Sequence, residues 1–111
     1  MSTPDLKGLL ETAQRIGSEV ARVRDELAAK TVVAETGGGL CRCTANGKGE
    51  VLSVTLDPAI SGDMKTGDKK MIEDLVVGAV NLALERAREL AEADLARVTG
   101  GLPLPPGLFG S

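Results

Sequence analysis

Apolar residues recur near the start of the chain at Leu6, Leu9, Ala13, Ile16, Val20, Val23 and Leu27. Their spacings alternate between three and four, a heptad seam that predicts one long amphipathic helix. Thr3 is the expected N-cap, with Pro4 at the first helical position and Asp5 near the positive end of the dipole. Glu11, Arg15, Glu19, Arg22 and Glu26 fall between the apolar positions as a mixed-charge face, and Glu11 and Arg15 stand in the favourable i,i+4 order. The pattern then changes to a period of two. Thr31 to Thr36 is rich in β-branched residues, and strands are also expected over Leu40 to Ala45 and Val51 to Asp57.

Gly37-Gly38-Gly39 separates the first two strands, and Asn46-Gly47-Lys48-Gly49 predicts a hairpin between the second and third. Centring that turn on Asn46-Gly47 or on Gly47-Lys48 places Cys41 and Cys43 on one face with Leu52, Val54 and Leu56, which is expected to be buried. Pro58 ends the sheet. A polar connector from Ser61 to Gly67 leads to Asp68, the expected cap of a second helix running to about Val98. Its apolar set includes Ile72, Val76, Ala79, Val80, Ala83, Ala87, Leu90, Ala91 and Leu95. Gly100-Gly101 stops it, and residues 102–111 are expected, like residues 1–4, to be flexible tails.

The predicted class is therefore α+β, an α-β-β-β-α chain with a three-stranded antiparallel meander and two long helices, in one domain of 111 residues. Helices of nearly 30 residues are roughly 40 Å long. A meander spans only about 10 Å between its outer strand axes and roughly 20 Å along them. So small a sheet leaves apolar seams uncovered, which predicts a homodimer.

Composition narrows the chemistry. Phe109 is the only aromatic residue, so the stacking platforms of single-stranded nucleic-acid binders are missing. His is absent, and no nucleophile motif is present, which argues against an enzyme. Cys41 and Cys43 form a C-x-C whose same-face spacing of about 6–7 Å along the strand suits a disulfide poorly. With no His and no third Cys for zinc, two small buried apolar residues are expected, ahead of redox sensing or metal binding. Gly47-Lys48-Gly49 lacks the Ser or Thr of a phosphate loop. No cofactor, metal or small-molecule substrate is expected. The first residues show neither a basic flank nor an apolar core, so the expected address is the cytoplasm. The net charge of −3 weighs against DNA as a partner.

Several motifs together nevertheless resemble the YbaB/EbfC family. They are Glu35-Thr36-Gly37-Gly38-Gly39-Leu40, Ala45-Asn46-Gly47-Lys48-Gly49-Glu50-Val51, Leu56-Asp57-Pro58, Asp68 to Val76, Ala79-Val80-Asn81, and Thr99-Gly100-Gly101-Leu102 with Leu104-Pro105-Pro106-Gly107-Leu108. The chain departs from the family pattern at Cys41 and Cys43, in a slightly long connector, and in a first helix poorer in Gln, Met and Lys. The resemblance implies a homodimer with tweezer-like helices, binding to double-stranded DNA, and a role in nucleoid organisation and gene regulation. With few base-reading side chains, backbone contact and weak sequence preference are expected. Lys7, Arg15, Arg22 and Arg24 are the expected contacts. The competing expectation is a dimeric interaction or scaffold protein that does not touch DNA, engaging partners through its seams and Pro-rich tail.

Overall fold

The computed structural model describes residues 5–60 and 66–100. Helix α1 (Leu6–Ala29) is followed by strands β1 (Thr31–Thr36), β2 (Cys41–Asn46) and β3 (Val51–Leu56), a 3₁₀ turn at Pro58–Ile60, and helix α2 (Thr66–Thr99). The sheet is an antiparallel meander in the order β1-β2-β3. This is the α+β class and element order that the hydrophobic pattern predicts.

The boundaries carry corrections. Asp5, not Thr3, caps α1, its carboxylate accepting the Gly8 N–H at 3.0 Å. The Glu11–Arg15 pair does not close among the described residues, whereas Arg22 closes on both Glu19 and Glu26. Helix α2 starts at Thr66, so Asp68 lies inside its first turn instead of capping it. The expected tails, 1–4 and 102–111, and the connector over 61–65 lie outside the described residues.

Lys30 is the only residue between α1 and β1, and its N–H donates to the Leu27 carbonyl. The junction is pinned from the hairpin. The Gly47 N–H is shared between the carbonyls of Leu27 and Lys30, each at 2.9 Å. A Cβ on Gly47 would stand 2.7 Å from Leu27 Cδ2 and 2.9 Å from the Leu27 carbonyl oxygen, so close approach, not a special φ, requires glycine there. The Gly49 N–H donates to the Asn46 carbonyl, which centres the turn on Gly47-Lys48. Buried Asn46 fixes that turn, its Oδ1 accepting the N–H groups of Lys48 and Glu50. At the other hairpin, Gly37, Gly38 and Gly39 all have positive φ, a run that side-chain-bearing residues rarely adopt.

The core is made of small side chains. Ala34 on β1, Cys41, Cys43 and Ala45 on β2, and Ala79 and Ala83 on α2 are all fully buried and mutually packed. Without aromatics, the helix approaches the sheet closely, and density comes from proximity instead of bulk. Helix α2 covers β1 and β2 but scarcely reaches β3.

The expectation of one uniformly buried face is corrected at β3. Cys41 pairs with Leu56 and Cys43 with Val54, so these residues share a face as predicted. Yet every residue of β3 is exposed, Leu52 at the Thr44/Ala45 irregularity included. The greasy face continues past the helix that should cover it.

Candidate functional site

Along α1 the apolar seam divides in two. Val23 and Leu27 are buried and Val20 is half-buried, while Leu6, Leu9, Ala13 and Ile16 are exposed. The N-terminal half of α1 is thus an arm that no other described element covers. Its C-terminal half is held against the end of α2, which runs back along it. Lys30 Nζ donates to Asp94 at 2.6 Å, and Arg97 makes an ion pair with the same carboxylate. Asp94 is buried, and the hydrogen bond from Lys30 holds its carboxyl below the usual range, against the opposing effect of burial. This polar lock is not legible in the sequence, where position 94 stands one residue from the apolar Leu95.

The four cationic residues singled out from the sequence do not converge. One helical turn per 3.6 residues puts Arg15 and Arg22 within about 20° of each other and Arg24 about 160° away from Arg22. Arg22 is engaged by Glu19 at 2.5 Å and Glu26 at 2.7 Å. The Glu19 hydrogen bond, then the charges of both carboxylates, raise its already high pKa. It borders the cleft between α1 and α2 with Val23, Asp94 and Arg97. Lys7 and Arg15 are exposed on the arm and form no ion pair among the described residues. Arg24 instead faces the hairpin, where it lines a recess with Ala21, Asp25 and Lys48.

Lys48 is not among the contacts expected from the sequence. The Gly47 contact with Leu27 folds the hairpin tip onto α1 and brings Lys48 to Arg24. Neither cation is paired among the described residues. The sequence signal lies in the turn glycine, which pattern alone ties to backbone conformation and not to close approach. On the outer sheet face, Arg42 is paired with Glu35, and on α2 Lys70 is paired with Asp74 and raised in pKa by that hydrogen bond. Arg86 donates to the Val33 carbonyl at 2.5 Å and so blunts the β1 edge.

Cys41 and Cys43 are free thiols buried in the core, and burial pushes the Cys43 pKa up, with the neighbouring Cys41 adding to the effect. No described helix is long and apolar enough to cross a membrane.

A small sheet carrying two helices longer than itself, with open cationic positions on an exposed helical arm and at a hairpin tip, defines a protein that works through its surface. The chain belongs to the YbaB/EbfC DNA-binding family, whose model matches residues 1–102. It is 38% identical over 105 residues to a nucleoid-associated protein of Thermoanaerobacter sp. (strain X514), covering 95% of this chain and 91% of that one. It is 42% identical over 101 residues to a nucleoid-associated protein of Anaeromyxobacter sp. (strain Fw109-5), covering 91% and 95%. The fold matches the crystal structure of an uncharacterized protein from Helicobacter pylori with a TM-score of 0.67 at 22% identity, covering 91% of this chain and 99% of that one.

Proposed function

We propose that this protein binds double-stranded DNA as a homodimer, with weak sequence preference, and acts at the bacterial nucleoid in the cytoplasm, organising DNA and thereby affecting gene expression. Family membership over residues 1–102 supports the DNA partner. The observation that carries the reading to particular residues is the meeting of Arg24 and Lys48 in a recess also lined by Asp25, two cations from different parts of the chain with no ion pair among the described residues. Lys7 and Arg15 extend the cationic positions along the exposed arm. Arg22 is assigned a lesser part, because Glu19 and Glu26 already balance its charge. No aromatic side chain stands among these described groups, and phosphate is the natural ligand of cations so placed, which supports weak sequence readout. Nothing in this arrangement resembles a catalytic constellation, and the reading assigns no enzymatic role.

Dimerisation is inferred from the bare face of β3. Val54 and Leu56 are 41% and 37% exposed, beside fully buried partners on β2. Burying their remaining area contributes roughly 0.5–1 kcal/mol per side chain, and two-fold symmetry doubles each contribution. Pairing also places two sets of cations on one assembly, so net charge −3 per chain is compatible with a locally positive side. The test is a fluorescence-anisotropy titration of duplex DNA at several salt concentrations. Binding that weakens steeply with salt is expected; no binding at low salt rejects the reading.

The exposed Leu6, Leu9 and Leu10 favour a second reading, a scaffold that engages proteins without touching DNA. Partners that survive nuclease treatment in a pull-down, together with a failed DNA titration, would favour it.

A further inference from the structure

We infer that the Asn46–Gly47 peptide is a modification site held shut by the fold, open to deamidation through a cyclic imide only when the hairpin tip lifts from α1. An asparagine followed by glycine is the most labile of asparagine sequences in a free chain, because no side chain on the second residue hinders ring closure. The reaction is an intramolecular substitution. The Gly47 nitrogen gives its proton to solvent base and bonds to Asn46 Cγ. The Cγ–Nδ2 bond breaks, and the nitrogen takes up a proton and leaves as ammonia. Water then adds across one or the other carbonyl of the five-membered imide, which leaves aspartate or isoaspartate. Water is the sole co-reactant.

Three features of the folded chain oppose this step. Gly47 is buried, and its N–H is shared between the carbonyls of Leu27 and Lys30, each at 2.9 Å. A nitrogen so engaged is kept from solvent base and cannot turn toward a side chain. Asn46 ends β2, with its N–H on the Glu50 carbonyl and its own carbonyl on the Gly49 N–H. The backbone rotation that ring closure needs would break both bonds. The Asn46 amide is also held: Oδ1 accepts the N–H groups of Lys48 and Glu50 at 3.0 Å each, and Nδ2 donates to Glu50 Oε1 at 2.9 Å. Two donors on Oδ1 polarise Cγ, but a polarised carbon is inert without its nucleophile, so the lock lies at Gly47.

The modification is one-way. Conversion to aspartate sets a second carboxylate against Glu50 where an amide donor stood, at a position only 4% exposed. Isoaspartate adds a methylene to the main chain and moves Gly47 out of register with Leu27 and Lys30. Either product loosens the grip of the hairpin on α1 and draws Lys48 away from Arg24. A chain that has opened at this junction is thereby marked.

The inference requires neither DNA binding nor the β3 interface. Its test is peptide-mapping mass spectrometry of the full chain incubated at pH 8, folded and in guanidinium. Deamidation at Asn46 is expected to be slower in the folded chain by about thirtyfold or more, because reaction waits on local opening. Asn81, followed by the bulkier Leu82, is the internal reference and is expected to be slow in both states. Leu27→Ala removes the side chain packed on Gly47 and is expected to speed Asn46 deamidation in the folded chain by about tenfold. Hydrogen exchange of the Gly47 amide reads the same lifting in the parent chain, with no substitution that could prevent folding. The two rates are expected to rise together as guanidinium is added below the unfolding midpoint. Equal Asn46 rates in the folded and unfolded chains overturn the inference. So does deamidation that proceeds while the Gly47 amide stays protected, or an unchanged rate in folded Leu27→Ala.

Discussion

Cys43 and Val54 are cross-strand partners on one face of the sheet, yet Cys43 is fully buried and Val54 is 41% exposed. The difference arises because α2 lies over β1 and β2 and scarcely reaches β3. Placing an acid at the bare end of this face gives a direct test of pairing. Val54→Asp is expected to leave the secondary structure intact and to convert a two-chain mass in light scattering to that of one chain. A persistent two-chain mass would place the interface elsewhere.

Arg24 and Lys48 supply the test of the DNA surface. Arg24→Ala with Lys48→Ala is expected to weaken duplex binding by about tenfold at moderate salt. Each phosphate contact removed lowers the slope of log affinity against log salt by about 0.9, and a symmetric dimer loses contacts in pairs. Arg22→Ala is expected to change affinity less, since its guanidinium is already shared by two carboxylates. Anisotropy titrations of the variants against one duplex check both statements.

Gly47 couples the hairpin to the end of α1. Gly47→Ala drives a methyl group against Leu27 and the carbonyl that receives the Gly47 N–H. A loss of about 1–3 kcal/mol in stability is expected, read from denaturant unfolding. Gly49→Asn, at φ +85 with open space for a side chain, is expected to be milder.

Asp94 gives the fold a pH dependence. Its folded pKa is held down, first by the Lys30 hydrogen bond and further by Arg97. Glu19, Arg22 and Glu26 border the same cleft from α1. A depressed carboxylate pKa contributes stability that is complete above the unfolded value of about 3.9 and disappears as pH falls through the folded value. Asp94→Asn is therefore expected to lower Tm at neutral pH, with the gap to the parent protein closing in acid. A gap independent of pH would show that the lock is not ionic.

The two thiols provide a probe of the core. Both are buried, and burial holds Cys43 in its protonated form above the ordinary thiol range. At pH 8 a thiol-specific reagent is expected to leave the folded protein unmodified, and to modify both cysteines after guanidinium unfolding. Rapid native labelling would show that the sheet opens.

Periodicity carries most of the fold because each element announces its own period. The Leu6–Leu27 seam specifies a helix, the β-branched run at Thr31–Thr36 a strand, and Asn46 to Gly49 the turn. The interactions that position the site are less legible because they join residues far apart in the chain. Lys30 and Asp94 are 64 residues apart. The approach of Lys48 to Arg24 depends on a missing Cβ at Gly47, which no local pattern reports. Arg15 and Arg22 share a face by helical spacing, but spacing does not show that Arg22 is held by Glu19 and Glu26. Only the folded arrangement distinguishes an available cation from an engaged one.

The single residue Lys30 between α1 and β1 has a mechanical consequence. With no slack in the connection and the Gly47 amide clamped across it, α1 has no loop to swing on where it joins the sheet. A lateral pull at that junction meets the backbone hydrogen bonds of Gly47 instead of being absorbed by a loop. Load that reaches the C-terminal end of α1 therefore passes straight into the hairpin and the sheet.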